Sequence, residues 1–211
     1  MSEIVIVDYG MGNLRSVEKA LQQIAPLQSI KVTSNAELIR SAERVIFPGQ
    51  GAMPDCMREL NRLGLTEVLI DCAKNKPFLG ICLGLQMLFD HSEEGDTSAL
   101  GLFKGEVVRF KEEHLFDEQG KRLKIPHMGW NQVKQSTYHP LWKSIPDQSR
   151  FYFVHSYYVR EKESVVMATA DYPTPFTCAV GQDNVFAVQF HPEKSAALGL
   201  ALLENFVQWK P

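Results

Sequence analysis

Three short runs of unbroken apolar residues, at 4–7 (IVIV), 45–47 (VIF) and 77–81 (PFLGI), are separated by stretches with helical periodicity. A strand that is apolar at every position is buried on both faces, as in a parallel sheet covered by helices. Between the first two runs, Val17, Ala20, Leu21 and Ile24 share one helical face after Gly12-Asn13. A second strand falls near 30–32, and Asn35 is placed to cap a short helix. Helical patterns return at 53–61 and 64–73, and the run at 77–81 feeds a helix through 85–89. Strands alternating with helices predict a parallel sheet with right-handed crossovers. The second half is strand-like at 106–110, 123–125, 132–134, 151–154, 165–170, 176–180 and 185–190, with turns at Gln119-Gly120 and 182–184. An amphipathic helix follows Ser195, with Leu198, Leu202, Phe206 and Trp209 along one stripe. The fold class is therefore α/β: a single domain over residues 1–211, with a central, mostly parallel sheet flanked by helices and an antiparallel second half.

Composition removes several classes of function. A net charge of −3 gives no electrostatic footprint for nucleic acid or an anionic membrane surface. Cys56, Cys72, Cys82 and Cys178 form no C-x-x-C pair, zinc pattern or disulfide framework, so a reducing cytoplasm is the expected compartment. The N-terminus lacks a signal-peptide pattern, and no apolar run approaches the ~20 residues of a membrane span. His91, His114 and His139 have no ligand-like spacing, so no metal is expected, and no phosphate-cradling glycine motif implies a nucleotide cofactor. Met53, Met57, Met87, Met128 and Met167 read as core filling, and the run at 111–114 as a solvated hairpin end.

One cysteine stands apart. Gly80-Ile81-Cys82-Leu83-Gly84 lies where a strand turns into a helix, the thiol version of the G-x-S-x-G nucleophile elbow. The sharp turn needs strained backbone, and flanking glycines remove side chains that would collide there. A helix starting at Leu83-Gly84 would set its positive end beside the sulfur. A thiol nucleophile needs a base and an orienting group. The strand-like segment VFAVQF runs into His191-Pro192-Glu193, where two-residue spacing on extended backbone aims both side chains the same way. Pro48-Gly49-Gln50-Gly51 follows the third strand, and its small residues leave backbone N–H groups free for an oxyanion. Cys56, Cys72 and Cys178 lack such a setting and read as small buried hydrophobes.

Together, PGQGA, PFLGICLGLQML and VFAVQFHPEKS resemble the class I (triad) glutamine amidotransferases, whose fold is flavodoxin-like. VDYGMGNLRSV, IPHMGWN and FYFVHSYY are similar to the branch that serves imidazole glycerol phosphate synthases. These motifs run from residue 7 to 195. The resemblance implies that Cys82 attacks the glutamine amide, His191 moves protons and Glu193 orients it. It places Gly49, Gly51, Leu83, Gln86, Ser156 and Tyr157 around the substrate, with His155 in the same segment. It implies a heterodimer with a barrel cyclase subunit, which would receive ammonia and make imidazole glycerol phosphate and an aminoimidazole carboxamide ribotide in histidine biosynthesis. Asn13 and Trp130 would lie at that partner interface. Gln50 departs from the family's common PGVG. A paralogous amidotransferase for surface sugars, or a catalytically silent partner-binding subunit, are the alternatives; an intact Cys-His-Glu set argues against the silent one.

Overall fold

The computed structural model describes residues 3–111, 116, 120, 122–162 and 164–211. Five parallel strands form its centre: β1 (Glu3–Val7), β2 (Ser29–Thr33), β3 (Arg44–Gly49), β4 (Phe78–Cys82) and β13 (Val185–Val188), in the order β2-β1-β3-β4-β13. The early connections are α1 (Leu14–Ile24), α2 (Ala36–Ser41), and the pair α3 (Met53–Arg62) and α4 (Thr66–Asn75). Asn35 caps α2, its side-chain oxygen accepting from the Glu37 and Leu38 amides at 2.9 and 3.0 Å.

The unbroken apolar runs are explained by two cores, one on each face of the sheet. Val5, Val7, Val45 and Phe47 point to the side holding Ile39 of α2, Leu60 of α3 and Leu69 of α4. Ile4, Ile6 and Ile46 point to the other, with Leu21 of α1 and Leu202 and Phe206 of α6 (Ala196–Gln208). Fully burying each such side chain stabilises the fold by about 1.5–3 kcal/mol before entropy is counted.

Beyond β13 the sheet turns antiparallel, through β12 (Pro175–Gln182) and β10 (Tyr157–Glu161) to β7 (Gly105–Arg109); the two-residue strand β5 (His91–Ser92) then pairs with β7 in parallel and with β6 (Thr97–Ser98) antiparallel. A branch off β12 carries β11 (Val166–Asp171), β8 (His127–Gln135) and β9 (Ser149–His155). The mixed sheet flanked by helices agrees with the α/β expectation. Among the described residues, no helix is long and apolar enough to cross a membrane.

Several local expectations are corrected. The helix after Cys82, α5 (Leu83–Gln86), is a single turn and does not reach residue 89. The Met87, Leu88 and Phe89 carbonyls instead accept the amides of Leu100, Phe103 and Gly101 at 2.8–2.9 Å, which draws the chain out of the helix. One turn carries little macrodipole, so the electrostatic argument for a helix end beside the sulfur loses most of its weight. No strand forms at 123–125: the Lys124 amide and carbonyl both bond the Tyr172 hydroxyl, at 3.2 and 2.6 Å. The strand expected at 185–190 ends at Val188, the last residue in register with β4. Strands β5, β6 and β10 were not anticipated. Of the expected turns, 182–184 holds with Asp183 at φ 52°, while Gln119 and most of the run at 111–114 lie outside the described residues.

Two glycines permit approaches that position the site. A Cβ on Gly84 would sit 1.9 Å from the Phe47 carbonyl oxygen, and one on Gly199 of α6 would sit 1.9 Å from the Pro192 carbonyl oxygen. Both obstacles are backbone, which cannot swing aside. Gly84→Ala and Gly199→Ala are each expected to destabilise the protein by at least about 1–3 kcal/mol, the usual cost of overpacking, as read from denaturant midpoints. An unchanged midpoint in either variant contradicts the packing described.

Candidate active site

The carboxyl ends of β3, β4 and β13 lie side by side, and Gly49, Cys82 and His191 stand at or just beyond them. Open α/β sheets bind ligands at this edge. Pro48 and Gly49, at the end of β3, stand opposite Ile81 and Cys82 of β4 in the ladder. Cys82 has φ 56° and ψ −113°, a left-handed conformation that a side chain disfavours. Gly80 and Gly84 allow it: a Cβ on Gly80 would meet Ala187 Cβ at 2.9 Å, and Gly84 packs on the Phe47 carbonyl. The strained elbow expected from G-x-C-x-G is present, supported by neighbouring backbone.

His191 and Glu193 meet, although not by strand alternation. His191 is extended (φ −102°, ψ 96°), but Pro192–Lys194 is a 3-10 turn that folds Glu193 back onto the ring. Nδ1 lies 2.8 Å from Glu193 Oε1, and the two side chains are only 5% and 1% exposed. The turn is held from behind. Ser195 Oγ donates to the His191 carbonyl at 2.6 Å and accepts the Tyr152 amide at 2.9 Å, while the His191 amide bonds the Tyr152 carbonyl at 2.9 Å. His191 Nε2 is buried without a hydrogen-bond partner in the protein.

Burial works against charging the imidazole, but its neighbours Cys82, and then Glu193, outweigh it and raise the His191 pKa to about 10. His191 is therefore protonated through the neutral range. Cys56, Cys72 and Cys178 behave otherwise: burial pushes all three thiols up, Cys56 to about 11. They are inert core groups, as read from the sequence.

A cavity of about 290 Å³ opens over Cys82, lined by Gln50, Gly51, Leu83, Gln86, Ser156, Tyr157 and His191 among others. That is the small end of the range for ligand sites. Gly49 is not in the lining. It is fixed in the ladder and wedged where a Cβ would meet Gly84 N and Leu83 Cβ at 2.7 Å. Tyr9 adds to this by donating its hydroxyl to the Pro48 carbonyl at 3.1 Å. Conformational freedom in 48–51 thus falls at Gln50-Gly51, where Gly51 has φ 113°.

Two participants were not anticipated. Gln189, wholly buried, accepts from Gln86 Nε2 at 2.9 Å and holds its own Nε2 3.7 Å from the Cys82 sulfur. The signal was a lone amide inside the apolar run VFAVQF. Glu94 lines the cavity and caps α3, accepting the Met53 amide at 2.8 Å; nothing local in the sequence marked it. Asn13 stands at the start of α1, its oxygen accepting the Ser16 hydroxyl at 2.9 Å. Trp130 is on β8, 47% exposed beside Met128 at 61%, over a second cavity of about 500 Å³ with Leu123, Tyr172 and Pro173. Among the described residues, no group of three or more histidine, cysteine, aspartate or glutamate side chains could hold a metal.

Known proteins place the chain by family and by fold. The family model for class-I glutamine amidotransferases matches residues 5–209. The chain is 64% identical over the full length of both chains to the imidazole glycerol phosphate synthase subunit HisH of Nitrosospira multiformis. It is 58% identical to the HisH subunit of Dechloromonas aromatica, covering 99% of this chain and 97% of the relative. Among solved structures, a putative GMP synthase subunit from Thermoplasma acidophilum superposes with a TM-score of 0.71 at 16% identity, covering 99% of this chain and 93% of that one. PurLQS from Thermotoga maritima gives 0.70 at 16% identity, covering 98% of each. At that identity the two structures speak for the fold alone.

The charge on His191 is open to direct test. Its folded pKa stands above the ordinary 6.5, so the stability it contributes is full below 6.5 and is lost as pH rises through about 10. A ¹⁵N NMR titration should show the ring protonated at pH 8 in the native chain. In Cys82→Ala the pKa should fall, because the largest raising influence is removed. An identical titration in the two proteins contradicts the coupling.

Proposed function

The chain belongs to the class-I glutamine amidotransferase family, and from that premise we propose that it is the glutaminase subunit of an imidazole glycerol phosphate synthase, working in the cytoplasm beside a barrel cyclase. The observation that carries the reading is that Cys82 and His191 line one small cavity, with Glu193 bonded to His191 Nδ1 behind it.

The chemistry follows from the protonation states. Cys82 Sγ attacks the side-chain amide carbon of glutamine, and the carbonyl electron pair moves onto oxygen. Backbone N–H groups around Gly51 and Leu83 are the available donors for that oxyanion. As the intermediate collapses, the carbon–nitrogen bond breaks, and His191 gives its Nε2 proton to the departing ammonia. A glutamyl thioester remains. Acylation removes the influence of Cys82 that raises the imidazole pKa, so the ring is now a competent base. His191 takes a proton from water, hydroxide adds to the thioester, and glutamate leaves as the sulfur regains its electrons. Glu193, bonded to Nδ1, keeps Nε2 as the nitrogen that faces the reaction. Gln86, Ser156 and Tyr157 hold the substrate, although the Gln86 amide nitrogen is already committed to Tyr157 O and Gln189.

Ammonia then passes to the cyclase. The exposed Met128 and Trp130 beside an aromatic cavity suit a partner's apolar surface, since aromatic side chains anchor interfaces. Partner binding would favour an oxyanion-donating arrangement at Gln50-Gly51, the least constrained part of that loop, and so limit wasteful hydrolysis by the free chain.

Two experiments bear on this reading. In the complex, Cys82→Ala should abolish glutamine-dependent cyclase turnover while added ammonia still supports it. His191→Ala should fall by roughly 10⁴-fold or more and Glu193→Gln by less, as for other triads. Near-native glutamine turnover in Cys82→Ala, or a Glu193 variant worse than the His191 variant, overturns these roles. Separately, Trp130→Ala should weaken cyclase binding about tenfold or more in calorimetric titration. Unchanged affinity would remove Trp130 from the interface.

A further inference from the structure

His127 takes no part in the reaction just described, yet it is buried between two rings. It stacks on Tyr172 with centroids 4.0 Å apart and on Phe153 at 5.0 Å. Its Nδ1 lies 2.9 Å from His155 Nε2, and His155 Nδ1 lies 2.8 Å from the Tyr157 carbonyl oxygen. At the far end, Asn131 Nδ2 reaches His127 Nε2 at 3.3 Å.

Every proton in this chain can be assigned. Burial, with the neighbouring histidine adding to it at His155, drives the two imidazoles down to about 4 and 3, so both are neutral at pH 7. A carbonyl only accepts, so His155 carries its proton on Nδ1 and has a bare Nε2. His127 must then donate from Nδ1, which leaves its own Nε2 as an acceptor. The Asn131 amide is oriented independently: its oxygen accepts the Gln132 amide at 2.8 Å, and its nitrogen donates to the Asp171 carbonyl at 2.9 Å. That nitrogen supplies the N–H that His127 requires.

The chain does not stop at Tyr157. The same carbonyl accepts Gln86 Nε2 at 3.0 Å, Gln86 also bonds Gln189, and the Gln189 amide nitrogen approaches the Cys82 sulfur. Hydrogen bonds thus run from Asn131 and His127, which line the cavity under Trp130, to the nucleophile. A buried network with one proton arrangement holds its members in one geometry, because any break leaves a desolvated group unpaired.

We propose that His127 is a positioning residue for glutamine hydrolysis: through His155 it fixes the Tyr157 carbonyl, and thereby the orientation of Gln86 and Gln189 at the glutamine cavity. The proposal rests on the reading of Cys82 as the nucleophile. His127 touches neither substrate nor sulfur and acts only through the groups it orders.

The wild-type chain supplies a first test that needs no variant. Ring ¹⁵N shifts at pH 7 should show both histidines protonated at Nδ1 and bare at Nε2; a proton on Nε2 of either overturns the network. The second test is glutamate release by the complex with its cyclase. His127→Phe keeps the stacking but cannot donate, and should raise KM for glutamine about tenfold with a smaller change in kcat, the loss of one hydrogen bond. His127→Asn, which restores an N–H near the Nδ1 position, should recover most of that loss. Equal KM in His127→Phe and wild type, or a loss that His127→Asn fails to relieve, overturns the positioning role. Cys82→Ala run in parallel separates the two claims. If it still hydrolyses glutamine, the nucleophile assignment fails, whereas the proton arrangement is judged on the wild-type spectrum alone.

Discussion

The site depends on a contact made without side chains. Gly84, in the first turn after Cys82, lies so close to the Phe47 carbonyl that even a methyl group would not fit. This lets α5 fold down onto the end of β3 and forces Cys82 into its left-handed conformation. The strain, of order 1–3 kcal/mol for such a residue, is borne by the close-packed strands β3, β4 and β13 on either side. A similar approach recurs at Gly199, where α6 presses on the turn that carries Glu193. Both sides of the site are thus placed by backbone packing, which moves far less than long side chains do.

Burial then gives neighbouring histidines opposite characters. His191 lies near Cys82 and bonds Glu193, and these two partners raise its pKa despite desolvation. His155 has no such partner and faces two other imidazoles, so desolvation prevails and it stays neutral. Electrostatic interactions are strong in a medium of low polarity, whether favourable or not. One buried histidine can therefore exchange protons with a substrate while another serves as a fixed donor and acceptor. The neutrality of His127 and His155 is what makes a single hydrogen-bond direction possible.

The groove beside β8 is built on other terms. Met128 and Trp130 alternate outward on a strand whose inward residues, His127 and Val133, are buried. The same strand therefore presents an apolar surface and carries the first member of the buried polar chain. Joining the groove to the cavity needs no moving part; it follows from alternation along one strand.

The sequence by itself determined the α/β architecture, because both-face burial leaves unbroken apolar runs that cannot sit on a solvated sheet. It also singled out Cys82 as a candidate, since a cysteine between two glycines at a strand end has few structural uses. His191 and Glu193 were legible as a pair, although the turn joining them was not: a two-residue spacing looks the same in a strand and in a 3-10 turn. The tertiary structure alone decided the length of α5, because the bonds that end it come from residues 99–103 of a separate loop. It alone brought Gln189 to the sulfur and joined His127 to His155, which are 28 residues apart in sequence. Spacing along a chain carries no record of such contacts. They arise where β8 and β9 pair and where β13 lies against β4, and only packing decides which side chains meet there.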